Sequence, residues 1–284
     1  TAALNGETKR QVLDLFGPPR RVFSVSATPL LIGGAVAMIE DITERYLVDA
    51  VRTDFVANIS HELKTPVGAL AVLAEALSQE DDLDIIHRLS EKMVDEAIRV
   101  GRTIDDLLEL SRIEFGGEAV KDEVDAGEIV SESISRVSPL ASTHAIKVAM
   151  IELATPLKVV GDRRQLVSAI GNLVENAVKY SEVGSAVEVS AQADGDSVEF
   201  TVKDFGLGIP SRDLDRVFER FYRVDRARSR DTGGTGLGLA IVRHVANNHG
   251  GDVSVTSIEG EGSTFSLKIP KFVSRNPVTM RESS

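Results

Sequence analysis

An apolar residue recurs at every seventh position in one long segment, and this repeat constrains the fold more than any other feature of the chain. The residues that mark it are Ile86, Met93, Val100 and Leu107. They lie within a helical pattern predicted over residues 83–114, and a second helix is predicted over residues 43–78. A repeat of seven indicates a helix that packs along a partner helix, as in a coiled coil. The acidic turn SQEDDLD joins the two helices, which predicts a helical hairpin.

A hairpin of two helices buries its apolar stripes poorly by itself. Two hairpins can pair into a four-helix bundle, and this solution predicts a homodimer. Packing of the hairpin onto the rest of its own chain is the alternative, and the sequence leaves it open.

The first of these helices carries the segment FVANISHELKTP, residues 55–66. At about 100° per residue its apolar side chains form one stripe, and His61 points away from that stripe. His61 is therefore expected to be exposed, with Thr65 one turn later on the same face. The zinc motif H-E-x-x-H requires histidine at position 65 and is excluded. Most exposed helix histidines have no function, so this segment alone decides nothing.

Length, charge and cysteine content narrow the protein classes. A chain of 284 residues predicts about two domains. The absence of cysteine excludes disulfides and thiolate metal sites, and a net charge of -12 argues against a general nucleic-acid-binding protein. Apolar runs in the sequence are too short to span a bilayer, and a first residue of Thr1 rather than Met suggests a piece of a longer protein.

Strand patterns occupy the regions outside the helical hairpin. RVFSVSATPLLIGGAVAMIEDITE predicts a β-hairpin around a Gly-Gly turn, and EFGGEAVKDEVD breaks the helical period as a linker. Helices are predicted to start at Asp125 and Asp162 because each is followed three residues later by Glu or Gln. Two further hairpins are predicted over residues 187–204 and 253–269, and the tail after Pro270 is expected to be mobile.

The helix after Asp162 contains NLVENAVKY and has polar residues on a separate stripe from its apolar ones. The apolar stripe consists of Leu166, Ile170, Leu173 and Ala177. Asn172, Asn176 and Lys179 form the polar stripe. Amide oxygens suit a hard cation such as Mg²⁺, and a lysine one turn on suits phosphate. A solvated helix face is the equally simple alternative.

Two glycine-rich segments follow. In KDFGLGIP, Asp204 shares the inward face of its strand with apolar residues, so its carboxylate needs buried donors, of which an adenine amine is one candidate. Gly206 and Gly208 would let backbone approach a flat ring, although a plain turn fits the pattern as well. GGTGLGLAIVRHV places three glycines before a helix whose N–H groups suit phosphate. It matches neither the Rossmann fingerprint nor a P-loop.

Four arginines crowd the stretch between these two segments: Arg223, Arg226, Arg228 and Arg230. A run of solvent-exposed charges without a function is the alternative interpretation. In an acidic chain, beside a glycine-rich loop, the cluster favours a mobile lid over a triphosphate.

These motifs occur in the order HELKTP, NLVENAVKY, DFGLGI, FERFYR and GTGLGL. The order resembles the H, N, G1, F and G2 boxes of the sensor histidine kinases of two-component systems, over about residues 40–272. Within that family, FVANISHELKTPVGAL and RARSRDTGGTGLGLAIVRHVANNHGG look most like actinobacterial phosphate-responsive, PhoR-like kinases. The N-terminal hairpin ending in EDITE looks like the last strands of a PAS domain.

The resemblance implies a multi-domain architecture. It consists of part of a PAS domain (1–45), a dimerisation and phosphotransfer hairpin (46–115), a linker (116–124), a catalytic domain (125–272) and a tail (273–284). The hairpin would form a dimeric four-helix bundle. The catalytic domain would be the α/β sandwich of the GHKL (Bergerat) fold shared with Hsp90, gyrase B and MutL.

The resemblance also assigns roles to residues. His61 would be the phosphoacceptor, Glu62 its base or orienter, and Thr65 the residue that positions water for phosphatase activity. Asn176 would bind Mg²⁺ with support from Asn172. The remaining ATP-binding positions would be Lys179, Tyr180, Asp204, Gly206, Gly208, Ile209, Arg223, Gly234, Thr235, Gly236, Leu237, Gly238 and Leu239.

ATP and Mg²⁺ are the implied cofactors, and a second copy of the chain and a response regulator are the implied partners, with no nucleic acid. The chain would be the cytoplasmic portion of a membrane sensor kinase, attached through a segment outside the given sequence. An ATP hydrolase of the same fold or a non-catalytic scaffold are the rivals. The hydrolase would not need SHELKTP on a helix, and a scaffold would be expected to lack a motif residue.

Overall fold

The computed structural model describes residues 7–30, 34–115, 121–153, 157–224 and 234–272. The chain divides into two compact units, Thr1–Thr65 and Pro66–Ser284. Three of the predicted lid arginines, Arg226, Arg228 and Arg230, lie outside the described residues, as does the tail over 273–284.

The first unit contains an antiparallel sheet of three strands in the order β1-β2-β3. The strands are β1 (Lys9–Leu15), β2 (Arg21–Pro29) and β3 (Ala35–Asp41). The predicted N-terminal hairpin corresponds to β2 and β3, which pair from Pro29 with Ala35 to Phe23 with Asp41. Strand β1 was not predicted. All but one of its residues are exposed, so the alternation that half-burial imposes on a strand is missing from its sequence.

The two long helices are α1 (Thr43–Ser78) and α2 (Leu83–Phe115), and the predicted bounds agree with them to within one residue. Helix α1 continues through Pro66. On α2, the seam residues remain partly accessible, and three apolar neighbours are 43–51% exposed: Ile98, Ile104 and Leu108. In the described parts of the chain, none of the helices has both the length and the apolar character needed to cross a bilayer.

The C-terminal end of α2 differs from the rest of that helix. Leu110 is fully buried and Ile113 is 7% exposed, because this end packs against helix α5 (Gly238–Asn248). The side-chain amide of Asn248 donates to the carbonyl oxygen of Ile113 at 3.1 Å. Packing of the hairpin onto its own chain, the alternative left open above, therefore holds for the last turns of α2.

The second unit is built on a five-stranded sheet in the order β5-β7-β8-β10-β9, in which β5 and β7 are parallel and the other pairs antiparallel. The strands are β5 (Lys147–Leu153), β7 (Ala186–Asp194), β8 (Ser197–Lys203), β9 (Asp252–Ile258) and β10 (Gly262–Pro270). The predicted hairpins over 187–204 and 253–269 are thus confirmed as β7–β8 and β9–β10.

Helices α3 (Ala126–Thr143), α4 (Arg163–Tyr180) and α5 form the second layer on this sheet. The four predicted apolar residues of α4, Leu166, Ile170, Leu173 and Ala177, are at most 1% exposed. On the sheet, every second residue of β8 is fully buried: Val198, Phe200 and Val202. Packing of these two apolar faces produces the α/β sandwich that the family resemblance implied.

Both predicted helix starts are confirmed as side-chain caps. Asp125 accepts from the backbone N–H groups of Gly127 and Glu128 before α3, and Asp162 does the same for Arg164 and Gln165 before α4. These bonds satisfy N–H groups that have no partner within the helix.

One part of the predicted linker is wrong. Residues 122–124 belong to strand β4 (Asp122–Asp125), which pairs antiparallel with β6 (Lys158–Gly161). The segment DEVD is acidic and only Val124 is buried. Its strand state depends on pairing with a distant segment, which local sequence does not report.

Candidate functional site

A cavity of about 940 Å³ lies in the second unit and collects most of the predicted ATP-binding residues. These are Asn172, Asn176, Lys179, Tyr180, Asp204, Gly208, Ile209, Arg223, Gly234, Thr235, Gly236, Gly238 and Leu239. Gly206 and Leu237 do not line it among the described residues. Segments that are far apart in the chain therefore meet around one space of nucleotide size.

Helix α4 forms one wall of this cavity. Its buried apolar stripe holds the helix against the sheet, which turns Asn172, Asn176 and Lys179 towards the cavity. The Asn172 side-chain N–H donates to the carbonyl oxygen of Ser168 at 3.1 Å, which leaves the amide oxygen to face away from its own helix. The ammonium of Lys179 pairs with Glu175 at 2.6 Å. The predicted polar stripe is thus a cavity wall rather than a solvated face.

Asp204 lies at the end of β8 and is 4% exposed, as its strand parity predicted. Its Oδ1 accepts from the backbone N–H groups of Gly206 at 3.0 Å and Ser263 at 3.1 Å. Burial raises the pKa of this carboxyl above its usual value, and the two backbone hydrogen bonds oppose that rise. Both bonds use one oxygen, so the carboxylate is fixed in orientation at the cavity wall.

The structure gives Gly206 and Gly208 a packing role, while their predicted approach to a ligand ring stays a prediction. A Cβ on Gly206 would lie 2.0 Å from the carbonyl oxygen of Tyr180, and one on Gly208 would lie 2.1 Å from that of Ile258. Gly208 also has a φ of +65°. Protein backbone therefore lies where a side chain would project from either glycine, so both positions require glycine for packing.

The glycine-rich loop before α5 is held from two sides. The backbone N–H of Phe221 donates to the carbonyl oxygen of Gly236 at 2.8 Å, and Gly236 has a φ of +72°. A Cβ on Gly238 would lie 2.7 Å from Oδ1 of Asn172, so the loop approaches α4 closely there. Leu237 is fully buried and anchors the loop in the core, which explains why it does not line the cavity.

Helix α2 supplies cavity residues that sequence reasoning missed. Arg102, Asp105 and Asp106 line the cavity, and Thr235 donates from Oγ1 to Oδ2 of Asp106 at 2.6 Å. Their spacing places them on one helical face. That pattern was readable in the sequence, but a solvated polar face has the same spacing.

His61, Glu62 and Thr65 lie on α1 in the first unit. His61 is exposed, as predicted, and Glu62 is partly exposed. The Thr65 hydroxyl donates to the carbonyl oxygen of His61 at 3.2 Å. These three residues thus occupy one turn of an accessible helix surface.

Two family models match the chain. Residues 51–116 match the His Kinase A (phospho-acceptor) domain, and residues 161–272 match the histidine kinase-, DNA gyrase B- and HSP90-like ATPase. The first includes His61 and the second includes nearly all of the cavity residues.

Individual proteins show the same likeness. The sensor-like histidine kinase SenX3 of Mycolicibacterium smegmatis is 51% identical over 84% of this chain, and the phosphate regulon sensor protein PhoR of Pseudomonas aeruginosa is 35% identical over 80%. The chain covers 62% and 52% of their lengths, respectively. The structure of full-length ShkA in complex with AMPPNP is 27% identical, with a TM-score of 0.56 over 79% of this chain and 47% of that chain.

Proposed function

Because this chain belongs to the sensor histidine kinases of two-component systems, we propose that it binds ATP in the cavity of the second unit and phosphorylates His61. One observation carries the proposal: the polar stripe of α4, Asp204 and the glycine-rich loop line the same cavity. The phosphoryl group would then pass to an aspartate of a response regulator. The ShkA complex with AMPPNP supports a nucleotide as the occupant.

The adenine end of the nucleotide is assigned to Asp204. Its Oδ1 is held by two backbone donors, so the carboxylate can accept from the exocyclic amine with its remaining lone pairs. Because burial already disfavours the ionised form, a donor from the ligand stabilises that form. Gly208 and Ile209 form the adjoining wall.

The phosphate end is assigned to the cavity walls formed by the end of α4 and by the glycine-rich loop. Lys179, Tyr180 and Arg223 bring donors, and the loop from Gly234 to Leu239 leads into the N-terminus of α5. Free N–H groups and the helix dipole favour anions at such a terminus. Gly206 and Leu237 would not contact the nucleotide themselves. They would fix the loops whose other residues contact it.

The donor set at α4 fits a magnesium ion. Asn176, with Asn172 beside it, offers amide oxygens of the kind that this hard cation accepts. The described residues contain no group of three or more His, Asp or Glu arranged to hold a metal, so phosphate oxygens would complete the shell. Bound Mg²⁺ would neutralise charge that develops on the phosphates during transfer.

His61 is suited to nucleophilic attack because it is exposed on a helix and because a neutral imidazole offers a ring-nitrogen lone pair. Glu62 would hold or accept the proton of the imidazole during attack on the γ-phosphorus. Thr65 would orient a water molecule for the reverse function, dephosphorylation of the regulator. The exposed apolar residues of α2 support a second copy of the chain as the partner that completes the four-helix bundle.

The test is to incubate the intact chain with γ-labelled ATP and Mg²⁺ and then to treat the labelled protein with acid and with alkali. We expect a label that acid removes and alkali leaves, as for phosphohistidine. An acid-stable label would indicate a hydroxyl acceptor. Free labelled phosphate without labelled protein would favour the ATP hydrolase, and no turnover would favour the scaffold.

A further inference from the structure

One carboxylate from α2 reaches the glycine-rich loop of the cavity. Oδ2 of Asp106 accepts the Thr235 hydroxyl at 2.6 Å, and the same hydroxyl accepts from the backbone N–H of Leu237 at 3.2 Å. The hydroxyl is therefore committed to a protein carboxylate at the start of the loop assigned to phosphate.

This contact is part of a wider docking of α2 onto the catalytic domain. Two apolar side chains near the end of α2, Leu110 and Ile113, are buried there. Glu114 continues the contact: it lies 3.0 Å from Nε2 of His244 and is bonded to Arg220. Asp106 is consequently held at the loop by apolar burial and by the ion pair of Glu114 with Arg220 on the same helix.

The surroundings of Asp106 are already unfavourable to negative charge. Burial raises the pKa of its carboxyl to about 6; the hydrogen bond from Thr235 lowers it, nearby Glu175 and Glu109 raise it, and Lys179 lowers it. Asp105 adds a further carboxylate to the same cavity, and Arg102 adds a positive charge. A triphosphate brought to this wall meets Asp106 as a close, partly desolvated charge of its own sign.

We propose that Asp106 makes docking of α2 and binding of a triphosphate antagonistic, so that the docked helix weakens phosphate binding and the bound phosphates weaken docking. The proposal rests on the proposed function, since it requires the phosphates of ATP to lie at the loop. The two effects are equal in size because coupling between two binding equilibria is reciprocal. The adenine end at Asp204 lies outside this coupling.

The test measures the affinity of the intact chain for AMPPNP and for adenosine by calorimetry, in the wild type and in Asp106→Asn. We expect Asp106→Asn to bind AMPPNP about fivefold more tightly or better, as for a typical coupling between sites, and to bind adenosine like the wild type. Asp106→Ala, which removes the charge without adding an amide, should likewise bind AMPPNP more tightly than the wild type and bind adenosine equally well. Asp95→Asn is the matched control: it removes one charge from the exposed face of α2 and should bind both ligands like the wild type.

Hydrogen exchange supplies a second readout. AMPPNP should lower the protection of α2 amides near Leu110 in the wild type and leave it unchanged in Asp106→Asn. Equal AMPPNP affinity in the wild type and both Asp106 variants would overturn the inference alone, as would an equal gain for adenosine. A wild type that binds neither ligand would overturn the proposed function and, with it, this inference.

Discussion

Nε2 of His249 accepts the backbone N–H of Asp162 at 2.9 Å, and Asp162 is the residue that caps α4. The other ring nitrogen lies 2.7 Å from the carbonyl oxygen of Val245, so Nδ1 carries the proton and the ring is neutral. His249 is 4% exposed and lies directly against Gly161, where a Cβ would approach its ring to 2.5 Å. The helix that carries Asn172 and Asn176 is thus positioned by a neutral histidine at the C-cap of α5.

This geometry predicts a loss of stability in mild acid. Burial lowers the pKa of His249 below 6.5; the bond to Val245 and nearby Asp162 raise it, and Lys121 lowers it. A base with a depressed folded-state pKa contributes its full stability above its unfolded pKa, and that contribution is lost as the pH falls through the folded value. Thermal unfolding should therefore show a melting temperature that declines below about pH 6.5.

His249→Gln should lose that part of the pH dependence, because glutamine does not titrate, and should be less stable by about 1–3 kcal/mol at pH 7, because the buried ring that bonds both Asp162 and Val245 is removed. His87→Gln is the control, since His87 is an exposed histidine on α2. If the melting temperatures of the wild type and of His249→Gln fell equally between pH 7 and pH 5, the assignment of this pH dependence to His249 would be contradicted.

His61→Gln should abolish labelling from γ-labelled ATP while leaving ATP affinity near the wild-type value, because the proposed nucleotide site is formed by residues of the second unit. The measurement pairs acid-labile label incorporation with calorimetry. His87→Gln is again the control and should be labelled normally. Acid-labile label that persists in His61→Gln would place the phosphoryl group on another histidine.

Asn176→Ala should abolish Mg·ATP-dependent labelling. Its side chain faces the cavity rather than the core stripe, so the free energy of unfolding should change by no more than about 0.5 kcal/mol. Asn247→Ala, on the exposed side of α5, should retain labelling. Chemical denaturation provides the check: a large drop in stability would mean that Asn176 is a structural residue.

Thr65→Ala should keep autophosphorylation and lose the ability to dephosphorylate a phosphorylated regulator. The proposed attack on ATP would use the His61 ring and Glu62, whereas the Thr65 hydroxyl lies one turn away and donates to the carbonyl oxygen of His61. Ser60→Ala is a matched control, because Ser60 makes the same type of bond, to the Val56 carbonyl at 2.9 Å. A wild-type rate of regulator dephosphorylation in Thr65→Ala would show that Thr65 has only a structural role in the helix.

The intact chain should sediment as a dimer at micromolar concentration, and Val100→Glu should shift it towards monomer. The substituted position lies on the seam, where a buried charge without a partner is costly. Lys92→Glu, on the exposed face of the same helix, should leave the dimer intact. A wild-type monomer at this concentration would contradict the four-helix bundle.

Local sequence determined the helices and caps whose pattern of apolar or capping residues lies within one continuous segment. The bounds of α1 and α2, the caps at Asp125 and Asp162 and the apolar stripe of α4 were all predictable, because one buried face imposes its period on the sequence. The order of the five motifs was likewise sufficient to indicate the family.

Tertiary structure alone decided which distant groups share a space. The pairing of β4 with β6, the backbone carbonyls beside Gly206 and Gly208, and the carboxylate of Asp106 on Thr235 each join segments far apart in the chain. Periodicity reports that a face is covered, but it carries no information on what covers it. For that reason the cavity walls that carry the five motifs could be predicted from the sequence, whereas the wall formed by α2 could not.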